Sequence, residues 1–176
     1  RNELESEPER ELAELAAKGD AEIQSTARAS LAEMRGEDVD SAIAASIDKG
    51  DATVRRELAR ALGSRRTKSA IPALLLAAAD ADSSVRAEGF ASLAAIAPAD
   101  QLKPIVELLA IEQDDIARAE GEKAALAVLS RNNAPAFAAA TVMSALPDVK
   151  QGIPAYCSIL RVAGKIDDPT AYDVLV

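Results

Sequence analysis

The sequence has no histidine and no tryptophan, and only two tyrosines, two phenylalanines and one cysteine. Without histidine there is no His-dependent catalytic triad, no imidazole proton relay and no imidazole metal ligand. One cysteine cannot form an internal disulfide. As a nucleophile Cys157 would lack a His base, so its expected role is a buried structural thiol on an apolar helix face. Aromatics at 2% argue against a β-sandwich core, which draws on aromatic and β-branched side chains. No long hydrophobic run exists: the best, Ala70 to Ala79, is interrupted by Pro72 and is far too short to span a bilayer. No Gly-rich phosphate loop follows a strand-like segment, and no signal-peptide pattern opens the chain. Basic charge is also in short supply. A net charge of −9 repels phosphate backbones and argues against nucleic-acid binding.

What is present is alanine, leucine, isoleucine and valine in a repeating register. Ile23, Val54, Val85 and Ile116 recur at steps of 31 residues. Leu31, Leu62 and Leu93 keep the same step, as do Asp20, Asp51 and Asp82, and Ile43, Leu74 and Ile105. Such internal periodicity is the mark of a solenoid, in which no unit buries its apolar face alone.

Each unit reads as two helices. Asp51 is placed to cap a helix whose stripe is Val54, Leu58, Ala61 and Leu62, and Gly63 is expected to stop it. Pro72 then falls in the first turn of a second helix, where its missing N–H costs little. That helix should bury Ile71, Leu74, Leu75 and Ala78; its counterpart in the next unit should bury Leu102, Ile105, Val106 and Leu109. The expected fold is all-α, a right-handed α-solenoid with about 31 residues per two-helix unit. Residues 1–18 are read as an acidic lead-in and partial capping helix. Units follow over about 19–49, 50–80, 81–112, 113–147 and 148–176, the last truncated. The fourth unit drifts: Glu120 stands where an apolar residue is expected, and Gly121 is a candidate bend.

Asp51-Ala-Thr-Val-Arg-Arg-Glu-Leu-Ala-Arg-Ala-Leu-Gly63 resembles the first helix of the short bacterial HEAT-like repeat, the class also found in phycobilin lyases. Ser83-Ser-Val-Arg86 resembles its opening again, and Gly164 to Leu175 resembles the loop that enters the second helix. The resemblance covers roughly residues 19 to 176 and implies an α-solenoid that binds other proteins. It implies no single activity, since solenoids host many.

Asp51–Arg55 and Asp82–Arg86 are expected to form an inter-repeat ladder, Asp and Arg of neighbouring loops pairing as units stack. Residues 50–69 hold six basic groups and two acids in an otherwise acidic chain, which marks Arg35, Arg65 and Arg66 as a candidate docking edge for acidic segments. Subtracting the buried stripes leaves Leu76, Lys103 and Glu107 facing outward on the second helices, with Leu76 and Glu107 in equivalent positions 31 apart. No catalytic, metal or cofactor site is expected. The chain reads as a non-enzymatic scaffold that binds a protein or peptide, or other domains of its parent chain, on the concave ridge of second helices. The alternatives are a regulatory or chromophore-lyase-like subunit and an architectural spacer. A HEAT-like DNA glycosylase would call for aromatic and basic residues on the concave face, and those are lacking.

Overall fold

The computed structural model describes residues 8–36, 38–131, 134–146 and 152–168. The described residues fold as ten α-helices: α1 (Pro8–Lys18), α2 (Ala21–Glu33), α3 (Val39–Ala45), α4 (Ala52–Arg65), α5 (Ile71–Ala77), α6 (Ser83–Ile96), α7 (Leu102–Ile111), α8 (Asp115–Leu129), α9 (Pro135–Ser144) and α10 (Ile153–Ala163). They stack as an all-α solenoid. The even-numbered helices α2, α4, α6 and α8 form a row of first helices, each packed on the one before. The second helices α5 and α7 pack against the first helix that follows each of them. The second helix expected to begin near Thr170 lies outside the described residues, as do Glu3, Glu5 and Glu7 of the lead-in.

An aspartate starts each of α2, α4, α6 and α8. Asp20, Asp51, Asp82 and Asp114 all accept hydrogen bonds from backbone N–H groups of the first turn, at 2.9–3.1 Å. Such caps satisfy donors that have no intrahelical partner and are worth about 1 kcal/mol each. They also fix the register. The first three are 31 residues apart and the fourth is 32, so one residue is inserted in the third unit. The 31-residue column of Ile23, Val54, Val85 and Ile116 therefore breaks at its last member: Ile116 is 71% exposed and Ala117 takes the buried place. In the corrected register Glu120 aligns with Glu57 and Glu88, each six residues after its cap, so no apolar residue was due there.

Two glycines have a different role from the one expected. Gly63 does not stop α4, which continues to Arg65 and ends on Arg66 in the left-handed region at φ 55°. Gly63 is buried where α4 meets α6; a Cβ there would lie 2.7 Å from the Ser92 Cβ. The Ser92 hydroxyl donates to the Ala59 carbonyl of α4 at 3.1 Å. Gly121 does not bend α8, which runs unbroken past it. Its missing side chain leaves room for Leu109 and Phe90. Both glycines allow close packing of adjacent helices.

The core is a continuous strip of small and branched side chains, with Leu31, Ile43, Leu58, Leu62, Leu74, Phe90, Leu93, Leu102, Ile105 and Leu109 essentially inaccessible. Leu75 is half-buried rather than buried. α10 packs on the three helices before it, α7, α8 and α9, as α4 packs on α1, α2 and α3. Cys157 on α10 is a half-buried free thiol rather than a fully buried one.

Candidate interaction surface

The arginines four residues after the caps pair within their own units, and the inter-repeat Asp–Arg ladder does not form. Arg55 grips Asp80 with two bonds of 2.7 and 2.8 Å and donates to the Gly50 carbonyl at 2.8 Å. Arg86 grips Glu112 at 2.7 and 2.9 Å and donates to the Asp80 and Ala81 carbonyls. Asp80 and Glu112 each also accept the backbone N–H of the following cap residue, Asp82 or Asp114. One carboxylate thus ties the end of a second helix to its own first helix and to the start of the next unit. Burial works against the charged form of Asp80. The hydrogen bonds from Arg55 and the Asp82 N–H outweigh it and hold the carboxyl below its usual range.

A second ion-pair run crosses the row of first helices. Arg28 of α2 donates to both oxygens of Glu57 at 2.8 and 2.9 Å; Arg60 bridges Glu57 at 3.0 Å and Glu88 at 2.5 Å. Glu57 is wholly buried among these guanidinium groups. Sequence reading missed this run, although the recurrence of glutamate six residues after the caps at 57 and 88 was a usable signal.

These pairings remove most of the basic edge. Arg65 is largely buried: it pairs with Asp40 and donates to the Leu31, Ala32 and Met34 carbonyls at the end of α2. It is a helix clamp and not a surface contact. Arg55 and Arg60 are likewise committed to carboxylates. Arg35 and Arg66 are exposed at the ends of α2 and α4.

On the second helices Leu76 is 65% exposed, and Lys103 and Glu107 are exposed and 3.8 Å apart. The inserted residue changes their alignment. Pairing Asp80 with Glu112 puts Leu76 opposite Leu108 and Ala79 opposite Ile111, and Leu76 is no longer equivalent to Glu107. Ile111 is exposed, and it borders a cavity of about 360 Å³ lined also by Ala78, Ala79, Arg86, Leu108 and Glu112. This face is mostly aliphatic, with its charged lining residues Arg86 and Glu112 already paired to each other. It can take an apolar side chain. Among the described residues no group of His, Cys, Asp and Glu could hold a metal ion, and no helix is long and apolar enough to cross a membrane.

A family model for HEAT repeats matches residues 39–127. No curated protein sequence matches the chain. Among solved structures, the complex of CpcE and CpcF of phycocyanin lyase from Nostoc sp. PCC7120 aligns with a TM-score of 0.56 at 16% identity, covering 93% of this chain and 67% of that one. At that identity the likeness concerns the fold. The capped helix pairs, the 31- to 32-residue register and a family match over half the sequence place this chain in the HEAT repeat family.

Proposed function

We propose that the chain is a non-enzymatic protein-interaction scaffold whose second-helix face engages a protein or peptide partner. The observation that carries this reading is the pair of exposed aliphatic side chains, Leu76 and Ile111, on successive second helices, with a cavity of about 360 Å³ bordered by Ile111. The HEAT family match supports it, since such solenoids present extended surfaces rather than enclosed reaction sites. Full burial of Leu76 in a complex would contribute about 1.5–3 kcal/mol. The face has few of the Trp, Tyr and Arg residues that usually dominate interfaces, so binding is spread over several weak contacts. A photo-crosslinker placed at Leu76 should capture the partner from the native source. The double substitution Leu76→Asp, Glu107→Arg should weaken that partner at least tenfold at unchanged thermal stability. Full affinity in the double variant, with loss on first-helix substitutions, would move the working surface to the other face.

A lyase-like subunit is the second reading, supported by the likeness to the phycocyanin lyase complex. It requires a bilin to bind: absorbance changes on titrating a bilin into the chain, abolished by substitutions around Ile111, would favour it over the scaffold.

A further inference from the structure

We propose that the partner engaged by the second-helix face is a second copy of this chain, held across a two-fold axis by α5 and α7. This occupant presupposes that the second-helix face is the interaction surface. The distribution of charge points to it. Charged residues make up 28% of the chain and the net charge is −9, so two copies repel each other as wholes. The second helices depart from that composition. α5 and α9 carry no charged residue, and α7 carries only Lys103 and Glu107. In the row of first helices, α4 and α8 carry five charged residues each. The second-helix face is therefore where two copies can approach with least repulsion.

The two charges on α7 are also self-complementary. Lys103 and Glu107 stand about one turn apart, both more than half exposed, and their side chains meet at 3.8 Å. An exposed pair of that kind is weak and screened, so each member can exchange its partner for an equivalent one. Two α7 helices laid antiparallel, with the two-fold axis passing between these positions, put each Lys103 opposite the Glu107 of the other copy. Laid parallel, they would set lysine against lysine and glutamate against glutamate. The antiparallel arrangement also turns the exposed Leu76 and Ile111 toward a face that is aliphatic in the other copy.

The contact is small. α5 and α7 are seven and ten residues long, about 10 and 15 Å of helix. That falls short of the roughly 800 Å² per partner of a standard stable interface. Neither helix carries an aromatic residue or an arginine, the usual anchors. Association is therefore weak and reversible, in the micromolar to millimolar range.

Sedimentation equilibrium of the full chain from micromolar to millimolar concentration should show a reversible monomer–dimer equilibrium. Leu76→Asp should weaken it at least tenfold. Lys103→Glu makes the α7 pair wholly acidic and Glu107→Lys makes it wholly basic, so each variant alone should also associate at least tenfold more weakly. Net charge alone predicts the reverse for Glu107→Lys, which makes the chain less acidic. Mixed in equal amounts, the two variants should form a heterodimer at least tenfold tighter than either homodimer, because every facing pair is then opposite in sign. That recovery also shows both variants to be folded. A chain that stays monomeric at millimolar concentration, a dimer indifferent to Leu76→Asp, or no recovery on mixing would overturn the second copy as occupant. A monomeric chain whose crosslinker at Leu76 captures a different protein would overturn self-association alone and leave the second-helix face as the interaction surface; a monomeric chain that captures nothing would remove both.

Discussion

The units built from α4 to α7 and the segment from α8 to α10 share a cap and an Ala-rich first helix but differ in how the second helix is tied down. In the former, Arg55 and Arg86 reach Asp80 and Glu112 at the ends of α5 and α7. In the latter, Arg118 occupies the same position after its cap, yet it bonds Asp115 on its own helix and the Gln113 carbonyl. Twenty-six residues beyond Arg118 stands Ser144, which bears no charge. The carboxylate tie is thus confined to α5 and α7, while α9, without it, still packs against the helix that follows it, α10. Ala and Leu stripes supply the burial in both regions. A paired charge, being directional, sets which helix end meets which, as buried polar groups can do.

Breaking that tie should have the largest effect. Arg86→Ala leaves Glu112 buried with only a backbone N–H, and the expected loss is about 2–3 kcal/mol. Arg118→Ala removes a contact within one helix and should cost within about 0.5 kcal/mol. Chemical denaturation of the two variants reads the difference; equal losses would mean that the clamp does not distinguish the regions.

Close packing offers the next contrast. A Cβ at Gly89 would fall 2.5 Å from the Ala78 backbone N, so Gly89→Val must push α5 and α6 apart at about 1–3 kcal/mol. At Gly121 the same atom meets only side-chain ends of Leu109 and Phe90 at 3.1–3.3 Å. Gly121→Ala should therefore lose less than about 1 kcal/mol, since flexible neighbours can yield and Ala favours helix. Melting temperatures of both variants measure this directly.

Acid should produce the smallest and most graded effect. Among the described residues, the carboxyls held below their ordinary range lie between Asp40 and Asp114. For Asp40 burial opposes the charge and hydrogen bonds from Thr67 and Arg65 prevail; Asp51 is held down by hydrogen bonds from Lys18, Thr53 and the Val54 N–H; Asp82 by those from Ser84; Asp114 by the Ala117 N–H. A depressed folded-state pKa gives stability that is complete above the unfolded value, near 3.9 for aspartate, and is lost as pH falls through the folded one. Melting temperature should hold from pH 7 to about 5 and then decline toward pH 2. Asp80→Asn should start lower at pH 7 and fall less on acidification, because one of the titrating ties is already gone.

Much of the fold was legible because it is periodic. An aspartate, an apolar residue three positions on and a Leu one turn beyond the middle of the helix recur often enough to fix helix type, unit length and core. The lapses share a cause. A strict 31-residue count carried Ile116 into the core and set Leu76 against Glu107, because a single inserted residue leaves composition unchanged but rotates everything after it by 100° on a helix. Gly63 looked like a helix stop because glycine favours ends, yet a glycine facing a neighbouring helix gives no different local signal. Arg65 counted toward a basic edge because sequence records its charge but not Asp40 and the α2 carbonyls beside it.

By itself the sequence determined the all-α class, the capped two-helix unit and the outward side chains Leu76, Lys103 and Glu107, all of which follow from local periodicity and hydrogen-bonding propensity. Tertiary structure alone decided which arginines are spent on carboxylates, that α10 reaches α7, and that Gly63 and Gly121 sit between helices. Those outcomes depend on which surfaces meet across 25 residues or more, and burial by a neighbour is a property of the pair of helices rather than of either sequence.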